Sequence, residues 1–298
     1  MNKLDKKYSQ ILENTRIEMV ETAKGCPEAC LHCGAYENFC PANMKINELN
    51  INELEKNILQ RISRTPNSLI HYFNTYITTY VNIEPLRTTN FIDFSKLVYQ
   101  ASEGMSRVVA ISHGLRGGNK KMRKNLKKIV KLMKDKIIPL FVVTMDFARS
   151  KGNISYEQNF ESYYQTLSIL GEAIDYSRVT VSLQGEQNPN SPLFIGRVQG
   201  MFEELIKKLL WENKKFSKLV IDHRAYTKIG RACKELASQE SEDCDVIPDP
   251  EFVENCVPRN HLYRGMIDFN GNLLIQKNRP GKTYGDSVNQ KLWEIIKI

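Results

Sequence analysis

Apolar and polar positions along the chain fall into two alternating rhythms. Stretches that alternate, or run continuously apolar and β-branched, predict strands at Arg16–Thr22, Tyr72–Val81, Arg107–Ile111, Ile137–Val143, Arg178–Gly185 and Lys218–Arg224. Between them, apolar residues recur at helical spacing. The recurrence covers Leu49, Ile51, Leu54, Ile58, Leu59 and Ile62, then Met122, Leu126, Ile129, Val130 and Met133, then Tyr156–Leu170 and Arg197–Trp211. The fourth strand is apolar throughout, as a parallel strand covered on both faces must be. Six strands alternating with helices predict an α/β fold, a (β/α)6 partial TIM barrel. The rhythm then changes. Asn270-Gly271, with Met266, Ile267 and Phe269 before it and Leu273 and Leu274 after, predicts a β-hairpin that departs from the barrel. The expected division is a partial barrel over residues 1–232, followed over 233–298 by an acidic loop and a small C-terminal extension of β-hairpin and helix.

Composition sharpens this picture in three respects. A chain of 298 residues with 41% hydrophobic content can bury a full core. The segment Met1–Asn14 lacks the apolar centre of a signal peptide, and the longest apolar stretch, Ile137–Val143, is too short to span a bilayer, so a cytoplasmic protein without a membrane partner is expected. Seven cysteines, an odd number, favour reduced thiols and metal ligation over a disulfide framework.

The net charge of +8 is unevenly spread. Arg116–Lys136 holds ten basic residues and only Asp135 as an acid, whereas Glu240–Glu254 holds seven acidic residues and no basic one. The basic stretch coincides with a predicted amphipathic helix, so its lysines face outward. It carries no interleaved aromatics and no RNA-binding signature, and a nucleic-acid partner is disfavoured.

The densest chemistry lies in Cys26-Pro27-Glu28-Ala29-Cys30-Leu31-His32-Cys33, directly after the first predicted strand. Three cysteines at C-x3-C-x2-C can turn their sulfurs to one centre, and soft thiolates suit iron-sulfur clusters. Three thiolates occupy three corners of a cubane and leave its fourth iron open. A zinc site is the competing reading, with His32 or Cys40 as the fourth ligand.

This spacing after the first strand resembles the defining motif of the radical S-adenosylmethionine (radical SAM) enzymes. The resemblance implies a 4Fe-4S cluster on Cys26, Cys30 and Cys33, with S-adenosyl-L-methionine (SAM) on the open iron. It also implies an electron donor such as flavodoxin or ferredoxin, whose single electron cleaves SAM to a 5'-deoxyadenosyl radical. Glu84-Pro85-Leu86 is similar to the second half of that family's Gly-Gly-Glu-Pro strand end, with Asn82 and Ile83 in place of the glycines. Cofactor contacts are therefore expected from His32, Asn82, Glu84, Ser112, Thr144 and Gln184, with His113 as either a site residue or a turn-stabilising one. Gly230-Arg231-Ala232 is similar to a turn found in many members. The tail resembles the extension of peptide-modifying members that carry auxiliary clusters, although Gln276 stands where a cysteine is expected.

What the resemblance implies is hydrogen abstraction from a small-molecule or peptide substrate. Two other readings stay open at this point: a non-catalytic metal-binding protein using the same cysteines, and a radical SAM enzyme acting on RNA. Cys244 and Cys256, in the acidic segment, are candidate hydrogen donors to a substrate radical.

Overall fold

A computed structural model of the chain describes residues 13–25, 46–54, 73–79, 84–115, 120–147, 155–191, 193–212, 216, 219–225, 263–267, 273–277 and 294–296. In chain order its elements are β1 (Thr15–Val20), β2 (Ala23–Lys24), β3 (Asn47–Glu48), α1 (Ile51–Leu54), β4 (Phe73–Thr78), α2 (Asn90–Ala101), β5 (Arg107–Ser112), α3 (Lys120–Lys134), β6 (Leu140–Met145), α4 (Tyr156–Leu170), β7 (Arg178–Gly185), α5 (Ile195–Trp211), β8 (Leu219–Ala225), β9 (Tyr263–Ile267), β10 (Leu273–Lys277) and β11 (Glu294–Ile296).

Seven strands pair in parallel in the order β9, β1, β4, β5, β6, β7, β8, and β10 and β11 continue the β9 edge antiparallel. All seven parallel strands therefore end on one side of the sheet, and helices α2 to α5 connect the strands from β4 to β8. The fold is α/β, consistent with a partial TIM barrel, as the alternating pattern predicts. Val108, Ala110, Phe141, Val143, Val179 and Val181 face the helices and pack with Met122, Leu126, Ile129, Leu167 and Leu205. Each fully buried Val, Leu, Ile, Met or Phe side chain among them contributes about 1.5–3 kcal/mol. The opposite face carries a smaller apolar group, Val109, Leu140 and Val142, with Tyr76 and Ile111 beside it.

The structure departs from the sequence expectation at four places. First, β6 starts at Leu140, not Ile137. Lys136 adopts φ 59°, and the amides of Lys136 and Ile137 return to Met133 O and Leu132 O, a Schellman ending that uses Ile137 and Ile138 to close α3 before Pro139. Second, helix α2 occupies a stretch for which the sequence reading placed no element; Phe91, Phe94 and Val98 are its buried stripe. Third, the hairpin does not depart from the barrel: β9 pairs with β1 in parallel, Thr15 opposite Tyr263 and Val20 opposite Ile267. Edge strand β1 is thereby covered, which removes a row of unpaired backbone groups. Fourth, a two-residue ladder, β2 with β3, follows β1. Among the described residues no helix is long and apolar enough to cross a membrane.

Candidate active site

The β2–β3 ladder is where the cysteine motif joins the fold. Ala23 pairs with Glu48 and Lys24 with Asn47, and Leu49 N donates to Thr22 O at 3.0 Å. The chain leaves this ladder at Gly25, whose φ of 90° suits glycine, and Cys26 is the next residue. The motif thus begins at the C-terminal end of β1, the end at which α/β folds bind ligands. Cys26, Cys30, Cys33, His32 and Cys40 themselves lie outside the described residues, as do Asn82, Cys244 and Cys256.

Two side chains of distant sequence position fasten the ladder. Asn90 Nδ2 donates to Thr22 O at 2.7 Å and to Leu49 O at 2.9 Å, joining the residue before the ladder to the residue after it. Glu48 Oε2 accepts from Thr89 N at 2.7 Å, Thr89 Oγ1 at 2.7 Å and Asn90 N at 3.0 Å. A carboxylate from the ladder therefore caps α2, whose own N-cap residue Thr89 makes no side-chain cap bond. Beside these groups, Thr22 Oγ1 and Asn90 Oδ1 are buried and have no hydrogen-bond partner among the described residues, a polar provision where the cysteine segment leaves the ladder.

Glu84 is the hub of the next strand tip. Its Oε1 accepts from Ser112 Oγ at 2.6 Å and from Leu86 N at 3.1 Å, and its Oε2 accepts from His113 N at 3.0 Å. The turn it starts is held from below by Asn125 of α3, whose Nδ2 donates to Leu86 O and Thr88 O, both at 2.9 Å. Ser112 Oγ also accepts from Gly114 N at 2.9 Å. Glu84 and Ser112, each expected as a cofactor contact, thus touch one another, buried at 3% and 1% exposure.

On the face opposite the helices, polar residues form a row across four strands. His113 Nδ1 lies 2.6 Å from Thr144 Oγ1, which itself donates to Ser112 O at 3.3 Å. Thr144 is in register with Ser182, and Ser182 with Asp222, whose Oδ2 accepts from Ser182 Oγ at 3.5 Å. Predicted Gln184 stands two residues beyond Ser182 on the same side of β7, half-buried and opposite Arg224. Below this row the same face is mostly apolar, with Val109, Ile111, Leu140 and Val142, and with Thr180 beside Val142 and Thr78 beside Val109. The change from apolar to polar falls at the strand ends, which makes a shelf able to hydrogen-bond a polar ligand. Tyr163 steadies it: its hydroxyl accepts from Asp146 N at 3.2 Å, at the tip of β6.

The sequence reading missed Asn90, Asn125, Glu48, Ser182 and Asp222. Asn125 carried a visible signal, being a polar residue inside the apolar stripe of α3. Ser182 and Asp222 also alternate correctly with Val181, Leu183 and Ile221. The roles of Asn90 and Glu48 depend on contacts 41 or more residues away and left no local trace.

No family model and no curated protein matches the chain. Among solved structures it is similar in outline to the FeFe-hydrogenase maturase HydG, at 12% identity and a TM-score of 0.38, over 75% of this chain and 46% of that one. A second HydG structure, from Carboxydothermus hydrogenoformans, gives 11% identity and a TM-score of 0.39 over 79% of this chain and 55% of that one. The chain spans about half the length of these two proteins.

Proposed function

We propose that the chain is a radical SAM enzyme in which Cys26, Cys30 and Cys33 hold a 4Fe-4S cluster and the adjoining strand ends bind SAM. The observation that supports this reading is the junction of motif and fold. A C-x3-C-x2-C sequence begins two residues beyond a ladder that follows β1 and is tied through Thr89 and Asn90 to the helix that follows the Glu84 turn. The donor set fits the group: three thiolates match three iron corners and leave one for a ligand that is not protein.

When bound, cluster and SAM together supply a carbon radical that abstracts hydrogen from a substrate. The chain's own residues hold the parts in place. Asn90 and Glu48 fix both ends of the cysteine segment, Glu84 and Asn125 fix the turn beside it, and His113, Thr144, Ser182, Gln184 and Asp222 offer donors and acceptors to SAM and to a polar small-molecule or peptide substrate. Apolar Val109, Ile111, Leu140 and Val142 close the floor against water.

Anaerobic reconstitution with iron and sulfide tests the reading. The expected result is a brown protein with about four irons per chain that releases 5'-deoxyadenosine from SAM under reduction, and that loses iron in Cys26→Ala, Cys30→Ala and Cys33→Ala. A colourless protein that binds zinc at the same cysteines and leaves SAM intact would overturn it.

A further inference from the structure

We propose that the exposed face of α3 is the docking surface for an acidic protein that delivers single electrons to the cysteine site. This rests on the radical SAM reading, since that chemistry calls for an external one-electron donor.

Every exposed position of α3, from Lys120 to Lys134, is lysine or arginine, and the helix has no acidic residue. Three of these side chains are engaged. Lys121 lies 3.9 Å from Glu48, Lys134 lies 3.0 Å from Glu172, and Arg123 donates to Gln165. Lys120, Lys124, Lys127, Lys128 and Lys131 have no ion pair among the described residues. Lys120, Lys124 and Lys128 follow one another at i,i+4, as do Lys127 and Lys131, and such like-charge pairs destabilise a helix. Cations in its first turn also oppose the helix dipole. A face kept uniformly basic against its own stability suits an acidic partner.

The face also has the right address. Lys121 reaches Glu48, on the ladder from which the cysteine motif departs, and Asn125 on the buried side of the same helix holds the Glu84 turn. A partner on the first turns of α3 is thus seated beside both. In the transfer, an anionic flavin hydroquinone on the donor becomes the neutral semiquinone. The electron it gives up is taken up at the site, and no proton moves. Nothing on this face stacks bases, which disfavours a nucleic-acid strand as its occupant.

The reconstituted full chain is titrated with an acidic flavodoxin, following flavin fluorescence. Binding should weaken about tenfold from low to physiological salt, and the combined variant Lys120→Glu, Lys124→Glu, Lys127→Glu and Lys128→Glu should raise Kd by a further factor of about ten. Its iron content and its 5'-deoxyadenosine release with dithionite should match the parent, and its Tm should be equal or higher because an acid in place of Lys120 suits the helix dipole and acids in place of Lys127 and Lys128 each face Lys131. An unchanged Kd in a variant that still cleaves SAM with dithionite overturns the docking surface alone. Loss of tRNA binding with flavodoxin binding intact overturns it in favour of RNA. A parent chain that binds no iron overturns the reading of the site, and electron delivery with it.

Discussion

The Glu84 carboxylate and the Ser112 hydroxyl lie 2.6 Å apart, and this bond ties the turn after β4 to the last residue of β5. The same carboxylate takes the amides of Leu86 and His113, so one side chain orders two adjoining strand tips. Glu84 thereby has a structural task whatever ligand its turn meets. Ser112→Ala is expected to destabilise the fold by about 1.5–3 kcal/mol, the range for a hydrogen bond to a charged group. Glu84→Ala is expected to cost more, on the order of 3 kcal/mol, because it also strips two amides of their acceptor. Urea unfolding measures both; equal stability of Glu84→Ala and the parent would show the network to be dispensable.

Asn90 gives a second prediction. Asn90→Asp keeps the shape but removes the Nδ2 donor, leaving Thr22 O and Leu49 O without it and placing a carboxylate beside two carbonyls. The expected loss is about 2 kcal/mol, together with faster release of iron from the reconstituted protein, because both ends of the cysteine segment are loosened. Unfolding and chelator-challenge rates check this. Unaltered iron retention would separate the clamp from the cysteine segment.

These residues show where the sequence was legible and where it was not. Helix α4 and strand β7 have the boundaries that periodicity predicts, because local pattern and burial agree over 15 and eight residues. The start of β6 was misjudged because Ile137 and Ile138 are apolar for a different reason: they close α3 through amides that return to Leu132 O. The pairing of β9 with β1 joins residues nearly the whole chain apart, and a hairpin signal says nothing about which edge it will meet. At the site, the candidates that proved to be in contact, Glu84 with Ser112 and His113 with Thr144, all stand at strand ends. Asn90 and Glu48 do their work across the fold, where no spacing rule applies.

The packing of α4 against α5 predicts an alkaline transition. Tyr156 donates to Glu204 at 2.8 Å, Tyr164 donates to Glu212, and Lys208 sits 3.9 Å from the Tyr164 ring centroid. Burial, then the bond to Glu204, pushes the Tyr156 phenol up to about 12. The bond to Glu212, then burial, does the same for Tyr164, also to about 12. Both values are raised above the ordinary value of 10.0, so the folded state holds these protons more tightly than the unfolded one. The contribution is fully present below pH 10.0 and is lost as pH rises through about 12. Phenolate absorbance should show a late-ionising component, and Tyr156→Phe and Tyr164→Phe should each remove one tyrosine from it. Simultaneous ionisation of every tyrosine below that range would refute the helix–helix bonds.

Two glycine exchanges should act in opposite directions. Lys136 closes α3 in the left-handed region at φ 59°, a conformation costing a side-chain-bearing residue roughly 1 kcal/mol, so Lys136→Gly is expected to stabilise the chain by about that amount. Gly114 is the contrary case. Its φ is 82°, and a Cβ there would stand 2.6 Å from Thr166 Oγ1. That hydroxyl is committed, since it accepts from Leu115 N at 2.8 Å and donates to Ser162 O at 2.7 Å, so it cannot swing away without breaking both bonds. Gly114→Ala should therefore add backbone strain to a steric displacement and cost about 2–4 kcal/mol. Because Gly114 N also donates to Ser112 Oγ, the damage should spread to the Glu84 network and to the seat of His113 against Thr144. Thermal unfolding of the two single variants and their combination measures the sizes. The sites share no partner, so their effects should add to within about 0.5 kcal/mol, and a neutral Gly114→Ala would show that the turn after β5 is free to rearrange.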